Sequence, residues 1–187
     1  PRARGAARGR RGANPGDAQP LAGRDGLTFP FLVLSAGDPS GDRLGASLLD
    51  ALRARGIAVQ AAGIGGPRLS AAGLHIVAPM ESVAVMGFAE ILTHLPSIRR
   101  ARRSVLRLLE AHPDAVFLPI DSPGLNLGLA RAAKRMGRRV VYYVCPQVWA
   151  WGYGRVRRLR EDVDLTLLLF RFEEEIDAGF REAEGFN

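Results

Sequence analysis

Cysteine is nearly absent: Cys145 stands alone in 187 residues, so no internal disulfide can form and a reducing compartment is expected. No apolar run reaches the length of about 18 residues that a spanning helix requires. The histidines are scattered: His75, His94 and His112 lack the spacing of metal ligands, so no metal site is expected. Two phosphate-binding signatures are missing as well. No G-x-G-x-x-G follows the first strand-like segment, and no Gly-Lys-Ser/Thr marks a P-loop. A nucleotide-dependent oxidoreductase is therefore disfavoured and no cofactor is expected. Cys145 itself precedes Pro146 with no histidine nearby in sequence, which reads as a packing residue rather than a nucleophile.

What remains is an ordinary globular composition, 47% hydrophobic and 24% charged. That length suits one compact domain plus a tail. The net charge of +7 is uneven, with Arg2, Arg4, Arg8, Arg10, Arg11 and Arg24 opposed only by Asp17 in the first 24 residues. Gly, Ala and Pro fill that stretch and large apolar residues are scarce, so residues 1–27 are expected to form a disordered basic tail. An organelle transit peptide would show Ser enrichment and amphipathic periodicity, and neither is present. No aromatic residue is interleaved with these arginines to stack bases, so a nucleic-acid partner is not expected.

From Thr28 onward strand and helix patterns alternate. Strands are predicted at Thr28 to Ser35, Ile57 to Ala62, His75 to Val77, Ala115 to Ile120, Arg139 to Val144 and Asp164 to Leu168. Helices are predicted at Gly45 to Arg55, Arg68 to Ala72, Ser82 to Leu95, Pro96 to Ala111, Asn126 to Met136, Tyr153 to Glu161 and Phe172 to Arg181. The break between the third and fourth is placed at Pro96, which cannot donate in a helix interior. Strands alternating with helices imply βαβ units and a parallel sheet covered on both faces. The fold class is therefore α/β and Rossmann-like, over residues 28–187. Such a fold hosts many chemistries, so function has to be read from its loops.

Asp121 is the most informative residue. The apolar run Val116-Phe117-Leu118-Pro119-Ile120 ends on this carboxylate and turns at once into Ser122-Pro123-Gly124. In an open α/β sheet that is the carboxyl edge, where ligands bind. A carboxylate there can take a proton from a substrate hydroxyl. A second acid-bearing loop, Gly37-Asp38-Pro39-Ser40-Gly41-Asp42, follows the first strand. Its glycines and the following helix start could cradle an anionic group. Equally, Asp42 or Ser40 could cap the helix and the glycines could be turn residues. The turn Gly63-Ile64-Gly65-Gly66-Pro67 carries the same two readings. Both tryptophans lie in Gln147-Val148-Trp149-Ala150-Trp151, past another strand, as a wall for a sugar ring or as a hydrophobic lid.

The segment Val83 to Leu95 is unusually apolar, with Glu90 isolated inside it. The next helix sets arginines, from Arg99 to Arg107, around a stripe of Ile98, Ala101, Val105, Leu108 and Leu109. An apolar patch beside a basic face suits an anionic bilayer surface. A buried helix beside a solvated one gives the same pattern.

Five stretches in order, SAGDPSGDRLGASLL, GIGGPRL, PMESVAVMGFAEIL, PDAVFLPIDSPGLN and YYVCPQVWAW, resemble the N-terminal half of the lipid-A-disaccharide synthase family from about Phe31 to Glu173. The resemblance implies the acceptor-side domain of a GT-B glycosyltransferase, with the C-terminal nucleotide-binding domain absent from this chain and the chain alone incompetent for turnover. It implies transfer from UDP-2,3-diacylglucosamine to 2,3-diacylglucosamine 1-phosphate with release of UDP, at the cytoplasmic face of the inner membrane. It also implies peripheral membrane contact through Val83–Leu95 and Arg99–Arg107, and a homodimer as a candidate state of the full-length protein. Asp121 matches the acid of the family's I-D-A-P-D-F-N motif, a candidate general base, and Asn126 its last residue. Asp38, Ser40, Gly41 and Asp42 match A-G-E-x-S-G-D, which the resemblance places near the donor cleft, and Met86, Gly87 and Glu90 match M-G-x-x-E. Gly65, Gly66, Gln147 and Trp149 complete the expected substrate-binding set. The chain departs from the family pattern where Asp38 replaces Glu, Gly124 and Leu125 replace Asp and Phe, Cys145 replaces Ser, and Arg171 replaces Pro. A non-enzymatic domain binding lipid or a partner is the alternative.

Overall fold

The computed structural model describes residues 30–84, 88–144 and 161–168, with residues 88–93 described by their backbone alone. Among these residues six parallel strands form one sheet in the order β3-β2-β1-β4-β5-β6. They are β1 (Leu32–Ala36), β2 (Ala61–Gly65), β3 (His75–Pro79), β4 (Val116–Ile120), β5 (Arg139–Tyr143) and β6 (Leu165–Leu167). Among the described residues the helices are α1 (Pro39–Ala54), α2 (Pro67–Ala71), α3 (Phe88–Ala111) and α4 (Pro123–Arg135), with a 3-10 turn at Met80–Ser82. β1 lies between β2 and β4, with Leu32 opposite both Ala61 and Val116, and is buried along its whole length. Its unbroken apolar run is what a strand covered on both faces requires.

The period-2 alternation of β1 divides the core. Leu32, Leu34 and Ala36 face α1 and α2, packing in one cluster with Leu49, Leu69 and Ile120. Val33 faces α3 and α4, in a second cluster with Phe117, Val105, Leu109 and Leu129. β2 passes close enough to β1 that a Cβ on Gly63 would stand 1.8 Å from the Leu34 carbonyl oxygen, so only glycine fits.

The expected α/β architecture is observed, with two local corrections. First, α1 begins at Pro39, not at Gly45. Pro39 occupies the first turn, where its missing N–H is no loss, and Asp38 caps the helix. Gly41 and Gly45 are therefore contact residues inside a helix. A Cβ on Gly41 would meet that of Ala36 at 3.3 Å, and one on Gly45 would meet Ile120 Cδ1 at 2.7 Å. The predicted turn Gly63 to Gly65 is likewise strand.

Second, α3 runs unbroken through Pro96. An interior proline costs about 3 kcal/mol. Full burial of Val105 and Leu109, with Leu108 at 8% exposure, stabilises by about 1.5–3 kcal/mol for each side chain and outweighs it. Pro96 sits on the exposed side, and the Ser97 hydroxyl donates to the carbonyls of His94 at 2.7 Å and Ser82 at 3.0 Å. The expectations for residues 1–27 and for the helices at Tyr153 to Glu161 and Phe172 to Arg181 fall wholly or almost wholly outside the described residues.

Candidate active site at the carboxyl edge of β1 and β4

The chain winds outward from β1 to β2 and β3 on one side, and to β4, β5 and β6 on the other. The gap between the carboxyl ends of β1 and β4 is thus the topological switch point, where open α/β sheets bind ligands. Asp38 follows β1 and Asp121 follows β4, so the fold brings both sequence-predicted acids to that one gap.

The two acids are held differently. Asp38 caps α1: its Oδ1 accepts from Ser40 N–H at 2.8 Å, Ser40 Oγ–H at 2.5 Å and Gly41 N–H at 3.0 Å. Its Oδ2 accepts from Ser122 Oγ–H at 2.7 Å, which ties the β1 loop to the β4 loop. Burial pushes the Asp38 pKa upward, but the hydrogen bonds from Ser40, Gly41 and Ser122 prevail and leave it below the ordinary value. Asp121 carries the opposite shift. Burial raises its pKa, the negative charge of Asp38 raises it further, and one hydrogen bond at Ser122 only partly offsets this. One fixed anion beside one basic carboxylate is the arrangement that separates acid and base roles.

The backbone at this edge is strained. Asp121, Ser122 and Val144 have φ of 43°, 45° and 66°, and they are the only non-glycine residues with positive φ among the described residues. Left-handed backbone at such residues costs about 1–3 kcal/mol each and persists only where surroundings enforce it. Here the enforcement is visible. Asp121 N–H donates to the Tyr143 carbonyl at 2.9 Å, and Asp121 O accepts from Asn126 Nδ2 and from Tyr142 Oη, both at 2.8 Å.

Asn126 is fully buried, so its amide serves the frame beneath the cleft. Besides Asp121 it reaches the carbonyls of Ser35 at 3.2 Å and Ile120 at 3.1 Å, and it accepts from Ser35 Oγ at 2.6 Å. Asp42 is 2% exposed and is also occupied with backbone. It accepts from the N–H groups of Gly66 at 2.7 Å and of Arg68 and Leu69, both at 3.0 Å, anchoring the start of α2 to α1. Gly66 leaves room for that carboxylate, since a Cβ there would stand 2.8 Å from Asp42 Oδ2. Gly65 is equally tight against Leu69, at 2.8 Å.

Of the sequence-predicted set, the carboxyl edge therefore gathers Asp38, Ser40 and Asp121, while Gly41 is buried against Ala36 and Ile120. Asn126, Asp42, Gly65 and Gly66 lie in the layer that supports it. Met86, Gln147 and Trp149 lie outside the described residues; Glu90 falls within α3. Ser122, Ser35 and Tyr142 were missed. Ser122 was within reach of sequence reasoning, as a hydroxyl next to the acid at a strand end. Tyr142 was not, because a strand aromatic reads as core.

α3 presents Arg99, Arg100, Arg103 and Arg107 to solvent. Its Ala101, Val105, Leu108 and Leu109 stripe packs into the core. Arg102 lies across α4, where a Cβ on Gly128 would meet its guanidinium at 2.5 Å. No helix among the described residues is long and apolar enough to cross a membrane.

Comparison with known proteins decides the lineage of this site. The model of the lipid-A-disaccharide synthetase family matches residues 32–180. The chain belongs to this family. The lipid-A-disaccharide synthase of Pseudomonas aeruginosa is 46% identical over 162 residues, 86% of this chain and 41% of the relative. That of Azotobacter vinelandii is 48% identical over 145 residues, 77% of this chain and 38% of the relative. That of Alkalilimnicola ehrlichii is 46% identical over 144 residues, again 77% and 38%. The chain thus spans about two-fifths of the length of these curated relatives. The lipid-A-disaccharide synthetase match contains both acid loops, so the Asp38–Ser122 link lies wholly within family-matched sequence.

Proposed function

We propose that this chain is the acceptor-side domain of an inverting glycosyltransferase that forms the lipid A disaccharide. Asp121 is the general base. It takes the proton from the acceptor hydroxyl of 2,3-diacylglucosamine 1-phosphate as that oxygen attacks the anomeric carbon of UDP-2,3-diacylglucosamine. The new C–O bond forms as the bond to the UDP oxygen breaks, and UDP leaves with the bonding pair. The observation that carries this reading is the placement of Asp121: a carboxylate at the switch point, fixed by a clamped left-handed backbone, with its pKa raised by burial and by Asp38. A raised pKa makes a stronger base nearer the working pH, and a positioned base accelerates by about 10²–10⁴-fold.

The donor nucleotide belongs to a second domain of the complete protein, and turnover needs both domains, with residues 28–187 supplying the acceptor side. The exposed arginines of α3 give a basic face suited to anionic headgroups, which supports peripheral attachment at the cytoplasmic side of the inner membrane. Ser40 and Gly41, at the start of α1, stand at the donor cleft, and Gln147 and Trp149 complete the substrate-binding set. Incubating the complete gene product with donor and acceptor tests the function. Equimolar disaccharide 1-phosphate and UDP are expected, and absence of both overturns it.

A further inference from the structure

We propose that Tyr142 and Asn126 are positioning residues that aim the Asp121 carboxylate; this rests on the base role proposed above. Both peptide groups flanking the Asp121 Cα are pinned. The N–H ahead of it is held by the Tyr143 carbonyl at 2.9 Å. The carbonyl behind it accepts from Tyr142 Oη and Asn126 Nδ2, each at 2.8 Å. With both peptide planes fixed, the Cα–Cβ direction is fixed, and the carboxylate keeps only its two side-chain torsions. The donors are themselves immobile. Tyr142 and Asn126 are fully buried, and Asn126 is locked to Ser35 and Ile120, the ends of the two strands that frame the gap.

Both side chains are fully buried, so contact with a substrate at the surface does not explain two donors converging on one carbonyl. A left-handed residue does explain them. Relaxing Asp121 to an ordinary conformation would swing its Cβ away, and a misplacement of about 1 Å costs about a hundredfold in rate. The frame therefore holds the base in a direction that the chain would not choose unaided.

Tyr142→Phe removes only the hydroxyl and keeps the ring in the core. In the complete gene product its kcat should fall between about ten- and a hundredfold, while KM for either substrate stays within about twofold. Placed on Asp121→Asn, the same change should cause no further loss, because a positioning residue acts only through the group it aims. An equal loss on both backgrounds, or an unchanged kcat, overturns the positioning role. Thermal melts report folding. If Tyr142→Phe does not fold, Asn126→Ser goes through the same two backgrounds and is decided by the same rule. Full activity of Asp121→Asn overturns the base role and this inference with it, whereas additive losses overturn this inference alone.

Discussion

Asp42→Ala should destabilise the domain sharply even though the residue belongs to the acid-bearing loop. Its carboxylate serves three backbone N–H groups, on Gly66, Arg68 and Leu69, from a site 2% exposed to solvent. A hydrogen bond to a charged group contributes about 1.5–3 kcal/mol net, and an orphaned buried donor costs about 1–3 kcal/mol. Three such bonds share one carboxylate, and single substitutions rarely exceed about 4–5 kcal/mol, so about 3–5 kcal/mol is expected. For a domain of this size that lowers Tm by roughly 6–20 °C. Asp42→Asn should lose less. The amide oxygen can replace Oδ1, which serves Gly66 and Leu69, but its NH2 group opposes the N–H of Arg68. Thermal and urea unfolding of both variants provide the assay. An Asp42→Ala variant that melts with the parent would refute the anchoring role and return Asp42 to the ligand set.

Asp38→Asn should keep the helix cap, since Asn caps as well as Asp, while removing the charge beside Asp121. The Asp121 pKa then falls, and the acid limb of the kcat/KM profile moves to lower pH; an unmoved limb removes Asp38 as a charge partner. Asp121 itself should weaken folding as pH rises. Its folded pKa lies above the unfolded value, so between the two the native state holds more protons and stability declines through that window. Asp121→Asn should therefore abolish that decline without lowering Tm at neutral pH, as melts across the acid range would show. Converting Arg99, Arg100, Arg103 and Arg107 to Glu should sharply weaken binding of the complete gene product to vesicles rich in phosphatidylglycerol, at about 1 kcal/mol for each basic residue lost near the surface. Unchanged sedimentation with the vesicles would remove the membrane contact.

The sheet was legible because its signals are long in wavelength. Buried parallel strands such as Leu32–Ala36 and Val116–Ile120 are continuous apolar runs, and each sits where the pattern places it to within a few residues. Boundaries rich in Gly, Pro and Ser misled. In Gly37 to Asp42 and Gly63 to Gly65 glycine serves close packing between elements, which composition cannot distinguish from turn chemistry. Pro96 misled in the same way, since tertiary burial of the residues after it overrides a local breaker. At the site the strand-end acids were legible one by one. Their coupling through Ser122, and the pinning of Asp121 by Tyr142 and Asn126, depend on contacts between residues 84, 21 and 5 positions apart. Only the Asp121–Asn126 pairing is local, within one short motif; nothing local in the sequence encodes the other two.

The base role of Asp121 is tested most directly by single-turnover kinetics of Asp121→Asn in the complete gene product, with both sugar substrates saturating. Disaccharide formation should slow by about a hundred- to ten-thousandfold with acceptor binding retained. A rate constant within a few-fold of the unsubstituted protein would contradict the assignment.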